Sequence, residues 1–86
     1  MSFTLLFDEE PLEALAKLPR DIRERIFRRL EKTKENPFHY FQRLAERPDY
    51  KLRVGDYRVI ADIYADERRI HVTLIGHRRN VYDRPG

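Results

Sequence analysis

The chain has 86 residues and no cysteine, which excludes disulfide staples, zinc ribbons and thiol catalysis and suits a reducing, cytoplasmic compartment. Apolar residues make up 41% and charged residues 38%, too apolar and too patterned for disorder, so a soluble globular chain with a heavily ionised surface is expected. Eighteen Lys and Arg against fifteen Asp and Glu leave a net charge of +3, a mild excess that suits a polyanionic partner without proving one.

Fourteen of the eighteen basic residues are arginine. Arginine favours planar, bidentate contacts with phosphate or carboxylate, and the alternative for the helical ones is a surface of ion pairs. The first element is a strand, "SFTLLF", with Phe3, Leu5 and Phe7 on one face. Its apolar run is too short for a signal segment or a membrane span, so no membrane partner is expected.

Asp8 is placed to cap a first helix, and Glu9, Glu10 and Pro11 suit its opening turn. Leu12, Leu15 and Leu18 continue at helical spacing until Pro19 interrupts. Ile22, Ile26, Phe27 and Leu30 then mark a second amphipathic helix, with Arg23, Arg25, Arg28 and Arg29 turned outward, stopped by "ENP" at 35 to 37. The stretch "FHYFQRLAERPD" from Phe38 has no clean period and reads as a loop whose aromatic residues pack on the core.

From Tyr50 the pattern turns to strands, "YKLRV", "YRVIADIYA" and "RRIHVTLI", joined by tight loops at "GD" and "DE". Length and the absence of repeats or linkers predict one domain over residues 1–86. The order β-α-α-β-β-β predicts an α+β fold, an antiparallel sheet with a two-helix layer on one face.

With Gly55 and Asp56 as the two loop residues, Val54 pairs with Tyr57, Arg53 with Arg58 and Lys51 with Ile60. Directly paired residues share a face. Leu52, Val54, Tyr57, Val59, Ala61, Ile63, Ile70, Val72 and Leu74 then face the helices. The other face carries Lys51, Arg53 and Arg58, with Asp62 across from His71 and Tyr64 across from Arg69. Like charges opposite one another are locally destabilising, so a phosphate between Arg53 and Arg58 is one way to relieve them and a neighbouring acid is the other.

"YKLRVGDYRVIADI" at 50 to 63 followed by "LIGHRRNVYDR" at 74 to 84, with "KLP" between the helices, resembles the RelE/ParE superfamily of toxins from prokaryotic toxin–antitoxin pairs. The resemblance implies a RelE-like fold over nearly the whole chain. It implies an endoribonuclease that cuts mRNA in the ribosomal A site without a metal or small-molecule cofactor, and a cognate antitoxin as partner besides mRNA and ribosome.

By the same resemblance, Arg58 holds the scissile phosphate, Arg78 acts on the leaving group or phosphate, and Tyr82 stacks on or orients the reacting nucleotide. Lys51 matches one of two strand lysines of ribonuclease members, while Asp49 stands in place of the other, often assigned as the base. His77, beside Arg78, is the expected substitute. Arg53, Arg43 and Arg79 are expected to contact RNA phosphates, and Gly76 is expected to end the last strand so that the following loop folds back over Arg58. His39, His71 and His77 show no metal-ligand spacing. A gyrase-directed, ParE-like toxin and a non-catalytic RNA-binding or antitoxin-docking relic of the fold stay open as alternatives.

Overall fold

The computed structural model describes residues 2–44 and 49–79. Strand β1 spans Thr4–Phe7, helix α1 Glu9–Ala16, helix α2 Arg20–Thr33, a single turn α3 Pro37–Tyr40 and a short strand β2 Gln42–Arg43. Strands β3 Tyr50–Val54, β4 Tyr57–Tyr64 and β5 Arg69–His77 complete a five-stranded sheet in the order β1-β5-β4-β3-β2. The α+β class holds, with α1 and α2 packed on one side.

Two features add to the expected plan. The stretch expected as a loop after Asn36 contains α3, with Pro37 as its first residue, and β2, which pairs with β3 through Gln42–Lys51 and Arg43–Tyr50. The expected antiparallel sheet is mixed, because β1 runs parallel to β5, pairing Leu5 with Ile70 and Phe7 with Val72. A strand's alternation fixes which side chains point inward but not the direction in which it joins its neighbour.

Helix α1 begins at Asp8, whose carboxylate makes no capping bond and instead pairs with the His71 ring on β5. Pro19 sits in the N-cap position of α2, and Arg23 Nη1 reaches back to the carbonyls of Ala16 and Leu18, both at 3.4 Å. That side chain closes the α1–α2 corner.

Leu15, Ile26 and Leu30 from the helices meet Phe41, Leu52, Val54, Val59, Ala61, Ile70, Val72 and Ile75 in the core. Full burial of a side chain such as Ile26 or Leu30 stabilises by about 1.5–3 kcal/mol. Thr33, also fully buried, satisfies its hydroxyl on the Leu30 carbonyl at 2.6 Å.

All five β3–β4 pairs, from Tyr50–Ala61 to Val54–Tyr57, follow the expected register. Gly55 takes φ +60 while Asp56 does not share a positive φ, the pattern of a two-residue turn with glycine first. Asp62–His71 and Tyr64–Arg69 also pair as expected.

A bulge between Ile60 and Ala61 then changes the ladder. Ala61 pairs with Val72 but Ile60 pairs with Leu74, so Thr73 is the extra residue, its hydroxyl 3.3 Å from the Ile60 carbonyl. Every residue of β5 beyond Thr73 is thereby moved to the opposite face from the one simple alternation gives it. Leu74, expected in the core, packs instead with Ile60 and Leu44 in a small outer cluster, and Ile75 takes the helix side.

Candidate active site on the outer face of the sheet

The sheet face away from the helices carries three zones along β4. At the β3–β4 hairpin end, Arg53 pairs with Arg58 and Lys51 lies two residues back along β3. In the middle sit Ile60, Leu74 and Leu44. At the far end stand Asp62 and Tyr64, across from His71 and Arg69.

The bulge decides what faces Arg58. On its other side Arg58 pairs with Gly76, so β5 sets no side chain of its own beside Arg58 at that position. The strand does not end at Gly76 as expected; it runs to His77, and Arg78 N donates to Asp56 O at 2.8 Å, prolonging the ladder. Arg78, two residues past Gly76, continues at the cationic end, exposed. Arg58 is half-buried, with its Nε shielded from solvent.

His77 goes the other way. From sequence alone it is expected to face the cationic patch, but the shifted register pairs it with Tyr57, on the helix side. Its ring packs edge-on against the Tyr57 ring with centroids 5.3 Å apart, and its Nδ1 accepts from Arg79 N at 3.2 Å. It lines a cleft with Lys17 and Leu18 of the α1–α2 corner. Arg79 is exposed in the turn that follows β5. Arg43 pairs with Tyr50 and so shares the helix side at the sheet edge, while Gln42 shares the side of Lys51. Tyr82 lies outside the described residues.

The far end of the face is acidic. Burial pushes the Asp62 carboxyl above its ordinary range, the neighbouring Asp49 and Asp8 carboxylates add to this, and His71 pulls part of the way back. His71 pairs with Asp8 rather than with the Asp62 expected from the strand register alone. Among the described residues no group of three or more His, Asp or Glu side chains is placed to hold a metal ion. No helix among them is long and apolar enough to cross a membrane.

Ion pairing does not account for the helical arginines. Among the described residues the pairs on α2 are Arg20–Glu24 and Lys34–Glu31, and Arg25, Arg28 and Arg29 have no carboxylate within reach. His39, Tyr40 and Gln42, which lie in the stretch expected as a loop packing on the core and carry no functional role there, line a cleft of about 420 Å³ together with Arg29, Lys51 and Arg53. Nothing local marks them, because α3 is one turn and β2 two residues long, too short for either periodicity to register.

Comparison with solved structures finds the same fold repeatedly. The toxin–antitoxin complex RelBE2 of Mycobacterium tuberculosis matches with TM-score 0.80 at 19% identity, covering 90% of this chain and 99% of that one. The intact E. coli RelBE toxin–antitoxin complex matches with TM-score 0.75 at 25% identity, covering 88% and 96%. A free E. coli RelE toxin carrying two arginine-to-alanine substitutions matches with TM-score 0.73 at 27% identity, covering 90% and 84%. No curated protein matches the chain significantly. A family model described as the ParE toxin of the type II toxin–antitoxin system parDE matches residues 5–82. With the family motif strands forming one RelE-like sheet and nearly the whole chain inside that match, the protein belongs to the ParE toxin family, within the RelE/ParE superfamily of type II toxins.

Proposed function

We propose that this toxin is an endoribonuclease that cuts mRNA in the ribosomal A site, and that its cognate partner is an antitoxin protein. The observation that carries the reading is the cationic end of the outer sheet face: Arg58 flanked by Arg53, with Lys51 beside them and Gly76, without a side chain, across from Arg58. In the reaction the ribose 2′-oxygen bonds to the adjacent phosphorus and the P–O5′ bond breaks, leaving a 2′,3′-cyclic phosphate and a 5′-hydroxyl. The crowded phosphorane carries extra negative charge, and fixed guanidinium donors stabilise it more than they stabilise the ground state.

Arg58 is assigned to that charge, held by the strands on either side of it. Arg78 approaches from the end of β5 and serves the leaving oxygen or the phosphate, Lys51 adds charge from β3, and Tyr82 orients the nucleotide. Arg53 and Arg79 supply phosphate contacts that hold the strand without reading its sequence. Arg43, on the helix side of the sheet edge, contacts phosphate where the RNA wraps round that edge.

A gyrase-directed action is the second reading. It is favoured by Asp49, which stands where ribonuclease relatives carry a lysine and whose charge acts on Asp62 at the acidic end. Inducing the protein without its antitoxin and mapping RNA 5′ ends, with purified RNA and with ribosomes, separates the two. New 5′-hydroxyl ends within codons that disappear with Arg58→Ala support cleavage. Intact mRNA together with broken or abnormally supercoiled DNA replaces it with the gyrase reading.

A further inference from the structure

Arg29 lines three adjoining clefts. On the outer surface of α2 it stands with Arg25, Arg28 and Lys32. Between α2 and the β3 turn it meets Arg25, Arg53 and Gly55, where an added Cβ on Gly55 would lie 3.3 Å from Arg25 Nη1. Around the β2–β3 edge it meets His39, Tyr40, Gln42, Lys51 and Arg53. Sharing Arg29, the three run as one basic path from the helix layer to Arg53 on β3, the cross-strand neighbour of Arg58.

The last cleft has mixed chemistry. Its Arg29 guanidinium lies 5.8 Å from the centre of the Tyr40 ring, and the His39 ring stands edge-on to Tyr40 with centroids 4.9 Å apart. Gln42, exposed and in register with Lys51, brings a side-chain amide to the same space. A volume of about 420 Å³ falls within the range of sites for a single small ligand. Cations alone suit any polyanion. Cations beside aromatic rings and a primary amide suit a nucleotide, with its phosphate on the cations, its base on a ring face and its edge within reach of an amide.

We propose that this cleft binds one nucleotide of single-stranded RNA. Arg29, Lys51 and Arg53 take its phosphates, the base lies against the Tyr40–His39 rings, and Gln42 contacts the base edge. Arg25, Arg28 and Lys32 carry the neighbouring phosphates along α2. The inference rests on the reading of the toxin as an RNA-acting protein, but it concerns binding and is tested without cleavage.

The test measures fluorescence anisotropy of short 2′-O-methyl RNA homopolymers, which cannot undergo 2′ attack, over a range of salt concentrations. Arg29→Ala should weaken binding roughly tenfold and lower the salt slope by about 0.7. Arg20→Ala, a change in a residue already paired with Glu24, is the control and should do neither. Gln42→Ala should narrow the difference in affinity among the homopolymers. In the wild-type protein the ring-proton NMR signals of His39 should shift on binding while those of His71 stay in place. Arg29→Ala behaving like Arg20→Ala, or His39 signals that do not move, overturns the site. RNA that binds here but is never cut leaves this inference standing and overturns the cleavage reading instead.

Discussion

Strands β4 and β5 build both ends of the outer sheet face, yet the ends carry opposite charge. Near the β3–β4 turn Arg58 faces Arg53 on one side and the bare Gly76 on the other. Beyond the Ile60–Leu74–Leu44 cluster, Asp62 faces His71, with Asp8 and Asp49 close enough to act on its carboxyl. At the acidic end the charges are brought together by register and by the β1–β5 pairing, and they relieve one another through the Asp8–His71 pair. At the cationic end the nearest cross-strand neighbour of an arginine is another arginine. The difference teaches that the acidic end is a structural clasp between β1 and β5, while at the cationic end the hairpin register sets like charges side by side, the arrangement on which the proposed phosphate site rests.

The largest expected effect comes from breaking the cationic end. Arg58→Ala should lower cleavage roughly 10²–10³-fold, the cost of losing one fixed donor to a developing charge. Folding should survive, because Arg58 alternates with Tyr57 and Val59 and does not enter the helix-side core. Matched circular dichroism spectra and single-turnover cleavage rates check both statements. A folded Arg58→Ala protein that cuts at the normal rate removes Arg58 from the mechanism.

A subtler break targets the bulge. Deleting Thr73 removes the extra residue and leaves Ile60–Leu74, Val59–Ile75, Arg58–Gly76 and Tyr57–His77 paired as they are, so every side chain past the bulge keeps its face and only the local bend and twist of β5 are lost. Ile75 stays in the core and Leu74 in the outer cluster, so the fold should persist with a slightly changed melting temperature. Cleavage should fall only as far as loss of that bend displaces Gly76 and Arg78 from Arg58, by less than about 10²-fold, and an unchanged rate would show that the bend does not aim the site. His77→Gln in the unaltered register should change the rate by less than about threefold, because the His77 ring packs on Tyr57. A large loss with His77→Gln would return that residue to the reaction.

The same bulge marks the limit of what was legible in the chain. "YKLRVGDYRV" fixes its own pairing, because alternation and a two-residue turn leave one register that buries Leu52, Val54 and Val59 together. Past His71, "VTLI" ends in two adjacent apolar residues, and alternation cannot say which of Leu74 and Ile75 turns inward. The answer depends on Leu44, a distant residue that gives Leu74 and Ile60 an outer cluster to join. The direction of β1 was equally silent, since it is set by its pairing with β5, more than sixty residues away along the chain, and not by anything within residues 4–7. Arg58, Lys51 and Arg53 were legible as a group because a regular hairpin holds them. The sides taken by His77 and Arg78 were not.

Charge at the cationic end should also be measurable in binding. Arg53→Ala and Lys51→Ala should each weaken single-stranded RNA binding a few-fold and reduce the salt slope by about 0.7, because each removes one phosphate contact. Titrations of a non-cleavable RNA at several salt concentrations read this directly. An unchanged slope for both would mean that the RNA backbone does not cross this end of the face.

The smallest effect belongs to the acidic end and tests whether it is only structural. The Asp62 carboxyl is raised chiefly by burial and then by the Asp49 and Asp8 charges, so the folded chain keeps this proton to a higher pH than the unfolded chain does. Between the usual carboxylate range and the raised value the folded state binds more protons, and this residue's contribution to stability falls as pH rises through that window. At neutral pH Asp62 is charged and carries the full penalty. Asp62→Asn should therefore melt slightly higher than wild type at neutral pH, with the advantage fading as the pH is lowered through the usual carboxylate range. RNA cleavage should be unaffected, because the Ile60–Leu74 cluster separates Asp62 from Arg58. A variant that melts lower at neutral pH would show that the attraction to His71 outweighs burial and the two neighbouring carboxylates. A variant that loses cleavage while keeping its stability would join the acidic end to the reaction and end the division of the face into a clasp and a site.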